Sequence, residues 1–119
     1  MTKPTKFTIK VSTQIDLGTK IIHKYPTPLK EIDIAKMAVN GRHPQNGNFI
    51  IEHECTFVIY VIKGSGKVWA GKEIFEVTAG DVVFVPKETA FAVEGKLEYI
   101  TVDTPAYYPE QAEEISTVS

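Results

Sequence analysis

From Thr8 to Ile22 polar and apolar residues alternate loosely, as in KFTIKV, which predicts an edge strand followed by irregular chain. YPTPLKEI carries Pro26 and Pro28 and reads as a connection. IDIAKMAV fits a strand, and NGRHPQNGN after it has the Asn, Gly and Pro content of a wide loop. The pattern then sharpens. NFIIEHECTFVIYVIKGSG is a long β-branched and aromatic run ending in glycines, and KVWAGKEIFEV has the form of a hairpin turning at Ala70 to Glu73. TAGDVVFVPKETAFAVEGKLEYITV adds two or three strands punctuated by Gly80-Asp81, Pro86 and Gly95. Six or more short strands with little helical periodicity predict an all-β barrel or sandwich. The tail TPAYYPEQAEEISTVS holds two prolines ahead of polar residues and is expected to pack an aromatic pair and then fray.

Length and charge narrow the function classes. With 119 residues there is room for one core, so residues 1–119 are read as one domain. A net charge of −2 gives no electrostatic reason to bind nucleic acid or an anionic membrane. Cys55 is the one cysteine, which excludes an intrachain disulfide and every multi-cysteine metal motif. The opening MTKPTKFTIK has no apolar leader core, and no window approaches the ~18 apolar residues of a membrane span. A reducing, cytoplasmic setting is expected.

The succession of YVIKGSGKV, the AGKE hairpin and AGDVVFVPKETAF resembles the cupin superfamily of small jelly-roll barrels. Tyr60-Val61-Ile62-Lys63-Gly64 matches the end of the first cupin motif, and Gly80-Asp81 with Pro86 matches the second. The resemblance covers roughly residues 37 to 109 and implies an all-β, cupin-like (double-stranded β-helix) barrel, its core between about residues 30 and 109. Such a fold hosts enzymes, storage proteins and sensors alike. Independently of any family, the glycines at 64 and 66 suit a turn between strands, and Asp81 suits acceptance of backbone N–H groups in the next turn.

In the cupin pattern a divalent metal is held by two histidines, a glutamate and a third histidine. Set on Tyr60-Val61, the glutamate position falls on Phe57; set on Pro86, the last histidine falls on Phe91. The paired histidine positions fall near Ile51 and His53. One imidazole does not hold a metal at useful affinity, so no metal and no cofactor are expected. A rearranged His53, Cys55 and His43 site is the remaining route to one. Strand alternation places His53, Cys55 and Phe57 inside the barrel and Glu52 and Glu54 outside.

With two phenylalanines where ligands would be, the barrel mouth becomes apolar, which favours binding a small molecule such as a sugar or organic acid. His53, Cys55, Phe57, Phe91 and Tyr99 are candidates for the pocket, with Arg42 and His43 at the rim, where a cation and an imidazole can take a carboxylate, phosphate or hydroxyl. Asn40, Gln45, Asn46 and Asn48 share the rim loop, and Trp69, Tyr107 and Tyr108 are further ring-stacking candidates. Two other readings stand beside this one. A metal-independent sugar or sugar-nucleotide isomerase or epimerase would use His53 as base with Tyr99 or Tyr60 as acid. An interaction module would have a filled barrel. The apolar outer face Val58, Tyr60 and Ile62 needs a cover, which predicts a homodimer.

Overall fold

The computed structural model describes residues 3–116. Nine strands form one antiparallel sheet: β1 (Thr13–Asp16), β2 (Lys20–Lys24), β3 (Asp33–His43), β4 (Phe49–Glu52), β5 (Thr56–Ala70), β6 (Glu73–Thr78), β7 (Val82–Val85), β8 (Ala90–Thr104) and β9 (Ala112–Ile115). The organising strand is β8. One of its edges pairs with β3 and, beyond it, β4; the other pairs with β5 along nearly its whole length. β5 in turn carries β7 on its first half and β6 on its second. Alternate residues of these strands, among them Phe57, Ile59 and Val61 on β5 and Phe91, Leu97 and Tyr99 on β8, face inward as the core. Among the described residues no helix is long and apolar enough to cross a membrane.

Several local expectations are corrected. KFTIKV is not a strand; it contains a short 3-10 turn, Ile9–Val11, and the first ladder forms later, between β1 and β2. The segment expected to be a wide loop is strand as far as His43, which leaves only residues 44–48 as loop. The tail adds β9 to β4, with Ile115 opposite Phe49, while residues 117–119 lie outside the described residues. Gly71 and Lys72 do turn the AGKE hairpin, and Asp81 Oδ2 does accept the Thr78 N–H at 2.8 Å.

Gly64 and Gly66 do not turn the chain. They lie inside β5, just after a register shift between Val61 and Lys63, where the strand presses against β8. Gly64 has φ +83°, and a Cβ there would collide with the Lys96 carbonyl oxygen. Only glycine meets both demands, so Gly64→Ala is expected to cost about 2 kcal/mol, combining left-handed strain with displaced backbone. Thermal unfolding of the variant should show a midpoint lowered by several degrees; an unchanged midpoint would show that the two strands can separate freely at this bend.

Candidate functional site

Polar residues occupy inward positions of β2, β3, β4 and β8. The alternation that turns half-buried Ile22 inward also buries Lys20, and the one that buries Ala35 also buries Asp33. Ile50 is followed two residues later by Glu52, and Tyr99 by Thr101 and Asp103. Together with His43, Met37, Phe57, Ile59, Phe91 and Tyr107 these side chains line a cavity of about 420 Å³. On this wall the Phe57 and Phe91 rings meet edge-on at 4.8 Å between centroids, and Phe57 stands opposite Asp103 on the neighbouring strand.

The electrostatics of that polar wall are set by burial. Glu52 is 7% exposed, and its Oε1 has no hydrogen-bond partner among the described residues. Atoms of Glu52, Asp103 and Cys55 lie within 4.8 Å of one another. Burial raises both carboxyls, and the neighbouring Glu52 charge adds to the rise of Asp103, to about 8, so the pair retains a proton near neutral pH. Lys20, 8% exposed, is lowered to about 8 by burial, against the pull of Glu52 and Asp103. Asp33 is also raised by burial, although its Oδ2 accepts the Tyr107 N–H at 2.9 Å and lies 4.0 Å from Lys24 Nζ. His43 is held neutral: burial, then the charges of Lys20 and Arg42, lower it to about 4, and its Nδ1 is buried without a partner among the described residues.

Of the residues expected at the site, the structure places His43, Phe57, Phe91 and Tyr99 on the cavity wall. His53 is not there. The chain leaves the β4 ladder after Glu52, bends through residues 53–55 and re-enters as β5, so alternation does not carry across. Glu52 therefore points inward, the reverse of the expected register, and His53 points outward. Its Nδ1 and Nε2 stand 2.9 Å from carboxylates of Glu88 and Glu113, and the bonds to Glu113 and Glu88 raise its pKa. Cys55 is fully buried behind the carboxyl pair, its Sγ 3.9 Å from the Ala106 carbonyl, and burial pushes the thiol up to about 12. Arg42 alternates out of the cavity; its guanidinium sits 5.1 Å from the Phe49 and Trp69 ring centroids and donates to the Pro44 and Asn48 carbonyls, pinning the loop. Gln45 and Asn48 are likewise tied to Leu17 and Glu114. Tyr60 is on the outer surface, so it cannot act as an acid beside the cavity.

The residues present do not fit the metal set of the cupins. Phe57 and Phe91, which the cupin motif sets at two of its ligand positions, present only apolar rings to the cavity, and His53, Cys55 and His43 do not converge among the described residues. The one convergent group among the described residues, Glu52, Cys55 and Asp103, contains no imidazole and already faces the cation of Lys20.

Lys20, Asp33, Glu52 and Asp103 were not visible as site residues in the sequence. The signal for them is a charged residue in phase with the apolar face of a strand, as in Lys20-Ile22 and Tyr99-Thr101-Asp103.

Solved structures with the same fold are numerous. Streptomyces PAC13, as a histidine-to-glutamine variant with uridine, has a TM-score of 0.86 at 17% identity, over 98% of this chain and 95% of that one. A further structure of that protein, described as a unique nucleoside dehydratase, gives 0.87 at 18% identity, over 98% of this chain and 95% of that one. An RmlC-like cupin from Shewanella frigidimarina gives 0.68 at 23% identity, over 88% and 93%. No family model and no curated protein matches the chain. Identities this low speak to architecture, and the architecture is the cupin barrel.

Proposed function

We propose that the chain binds a small hydroxyl-bearing ring compound, a sugar or a nucleoside, inside the barrel and without a metal. The observation that carries this reading is the cavity of about 420 Å³ holding two buried polar atoms without partners, Glu52 Oε1 and His43 Nδ1. The volume falls within the range of ~300–1,000 Å³ for small-molecule sites. Buried polar groups are costly unless paired, and hydroxyls of a ligand would pair them. The Phe57 and Phe91 rings offer an apolar surface for the ring of such a compound. A wall with four carboxyl side chains, Asp33, Glu52, Asp103 and Glu114, disfavours an organic acid, which narrows the expectation drawn from the sequence. The uridine bound by the Streptomyces protein of the same fold supports the nucleoside arm.

Calorimetry and saturation-transfer NMR against uridine, other ribonucleosides, monosaccharides and small organic acids test this. Binding of at least one sugar or nucleoside is expected, weakened about 10-fold or more by Glu52→Gln, the loss of a charged hydrogen-bond acceptor. Selective binding of organic acids, or affinity indifferent to that substitution, would overturn the reading.

We also propose that two copies associate through the outer face of β5 and β7. Val58 lies beside Phe84, and Tyr60 beside Val82, on neighbouring strands. Phe84 remains 62% exposed, and Tyr60, Ile62 and Val82 are exposed as well. A contiguous apolar face of this kind marks an interaction surface. Sedimentation at micromolar concentration should give twice the 13.2 kDa chain mass, and Phe84→Glu should return it to the monomer. A wild-type monomer under those conditions would refute the association.

A further inference from the structure

We propose that Lys20 is a nucleophile that condenses with the carbonyl group of an aldehyde or ketone ligand in the cavity, with Asp103 as the acid that expels water. This deepens the binding reading above and rests on it, because the Lys20 side chain lines that cavity.

Of the twelve lysines, Lys20 is the one that is buried. It stands at the start of β2, opposite Val39 of β3, with its side chain on the cavity wall. Holding an ammonium out of water is costly, and ion pairing offsets that cost only at close range. Here Glu52 and Asp103 act on Lys20 through charge alone; among the described residues no carboxylate comes within 4.0 Å of its Nζ. A purely structural side chain at this position would be apolar. A desolvated amine facing open volume is the arrangement that makes lysine reactive toward carbonyls. Burial lowers it to about 8, so a usable fraction is unprotonated at neutral pH.

The step balances with the groups present. The neutral Lys20 amine adds to the carbonyl carbon; the C–N bond forms as the C=O π bond breaks, and the amine proton passes to the oxygen, giving a carbinolamine. Asp103, which keeps its proton because it is buried beside Glu52, gives that proton to the new hydroxyl. The C–O bond breaks, water leaves, and a protonated imine remains beside the Asp103 carboxylate. No oxidant or reductant is consumed. The positive iminium then lies among carboxyls, where its charge is favoured.

Trapping tests the proposal on the unmodified protein. Incubation with glycolaldehyde and sodium cyanoborohydride at pH 7, followed by peptide mass mapping, should place a reduced adduct on Lys20 at least 10-fold faster than on any exposed lysine. Asp103→Asn should slow labelling of Lys20 by about 100-fold while leaving exposed lysines unchanged. Equal or slower labelling of Lys20 in the wild type overturns the proposal. If uridine or a monosaccharide still binds in that case, the covalent step fails and the binding reading survives; if neither carbonyl nor hydroxyl compounds occupy the cavity, both fail. Undiminished labelling in Asp103→Asn would remove Asp103 from the step.

Discussion

Lys20→Met is expected to make the protein more stable, not less, by about 1–3 kcal/mol at pH 7. The fall of the amine from its ordinary 10.5 to about 8 means that the folded chain holds this proton less tightly than the unfolded chain. At pH 7 Lys20 is charged in both states and carries the whole cost, about 3 kcal/mol. Part of the gain is lost because Glu52 and Asp103 no longer face a cation and rise further. Between pH 8 and 10.5 the unfolded chain keeps a proton that the folded protein has released, so wild-type stability gains there with rising pH. The advantage of the variant should therefore be largest below pH 8 and shrink toward zero by about 10.5. Cys55, pushed up to about 12, and Tyr99, raised by burial, work in the opposite direction at alkaline pH. They do so in both proteins, so the difference between the two melting curves isolates Lys20. A less stable variant at pH 7 would show that Lys20 is a structural ion-pair partner and would undercut its reading as a reactive group. A stabilising loss of a buried cation is what a position retained for function predicts.

What could be read in advance follows the strength of alternation. β5 and β8 are long β-branched strands with a strict inward set, so Phe57, Phe91 and Tyr99 were legible as cavity residues and the barrel as an architecture. Alternation does not place His53, because at residues 53–55 the backbone leaves one ladder for another. There the His53 N–H donates to the Gln111 carbonyl and the Glu88 N–H to the Glu52 carbonyl. Those partners belong to the 3-10 turn before β9 and to the turn before β8, both distant in sequence, and no local pattern announces them. Lys20 was missed for a different reason. β2 reads KIIHK, in which the two lysines mark the inward face, whereas a sequence reading assigns charges to solvent. Gly64 and Gly66 illustrate the same limit, since their need comes from the close passage of β8 about thirty residues later and not from a turn.

Phe57→Ala should have the largest effect of all on stability, a loss of about 4 kcal/mol. Phe57 is 3% exposed and packs in the core, its backbone paired with Val85 on β7 and Asp103 on β8. Truncating a buried phenylalanine costs about 3–5 kcal/mol, and the edge contact with Phe91 adds about 0.5–1.5 kcal/mol that alanine cannot recover. The penalty stays toward the lower part of that sum because the vacated volume opens onto an existing cavity instead of forming a sealed void. A fall of roughly 15 °C in the melting temperature follows for a domain of this size. Phe57→Leu, which keeps most of the apolar volume, should lose less than half as much. Phe84→Ala, one strand away but 62% exposed, should change monomer stability by no more than about 0.5 kcal/mol. A melting temperature for Phe57→Ala within two or three degrees of wild type would mean that the ring lines the cavity without supporting the barrel. The phenylalanine standing where cupins carry a metal-binding glutamate would then answer to the ligand alone, and nucleoside or sugar affinity would be the quantity that the substitution changes.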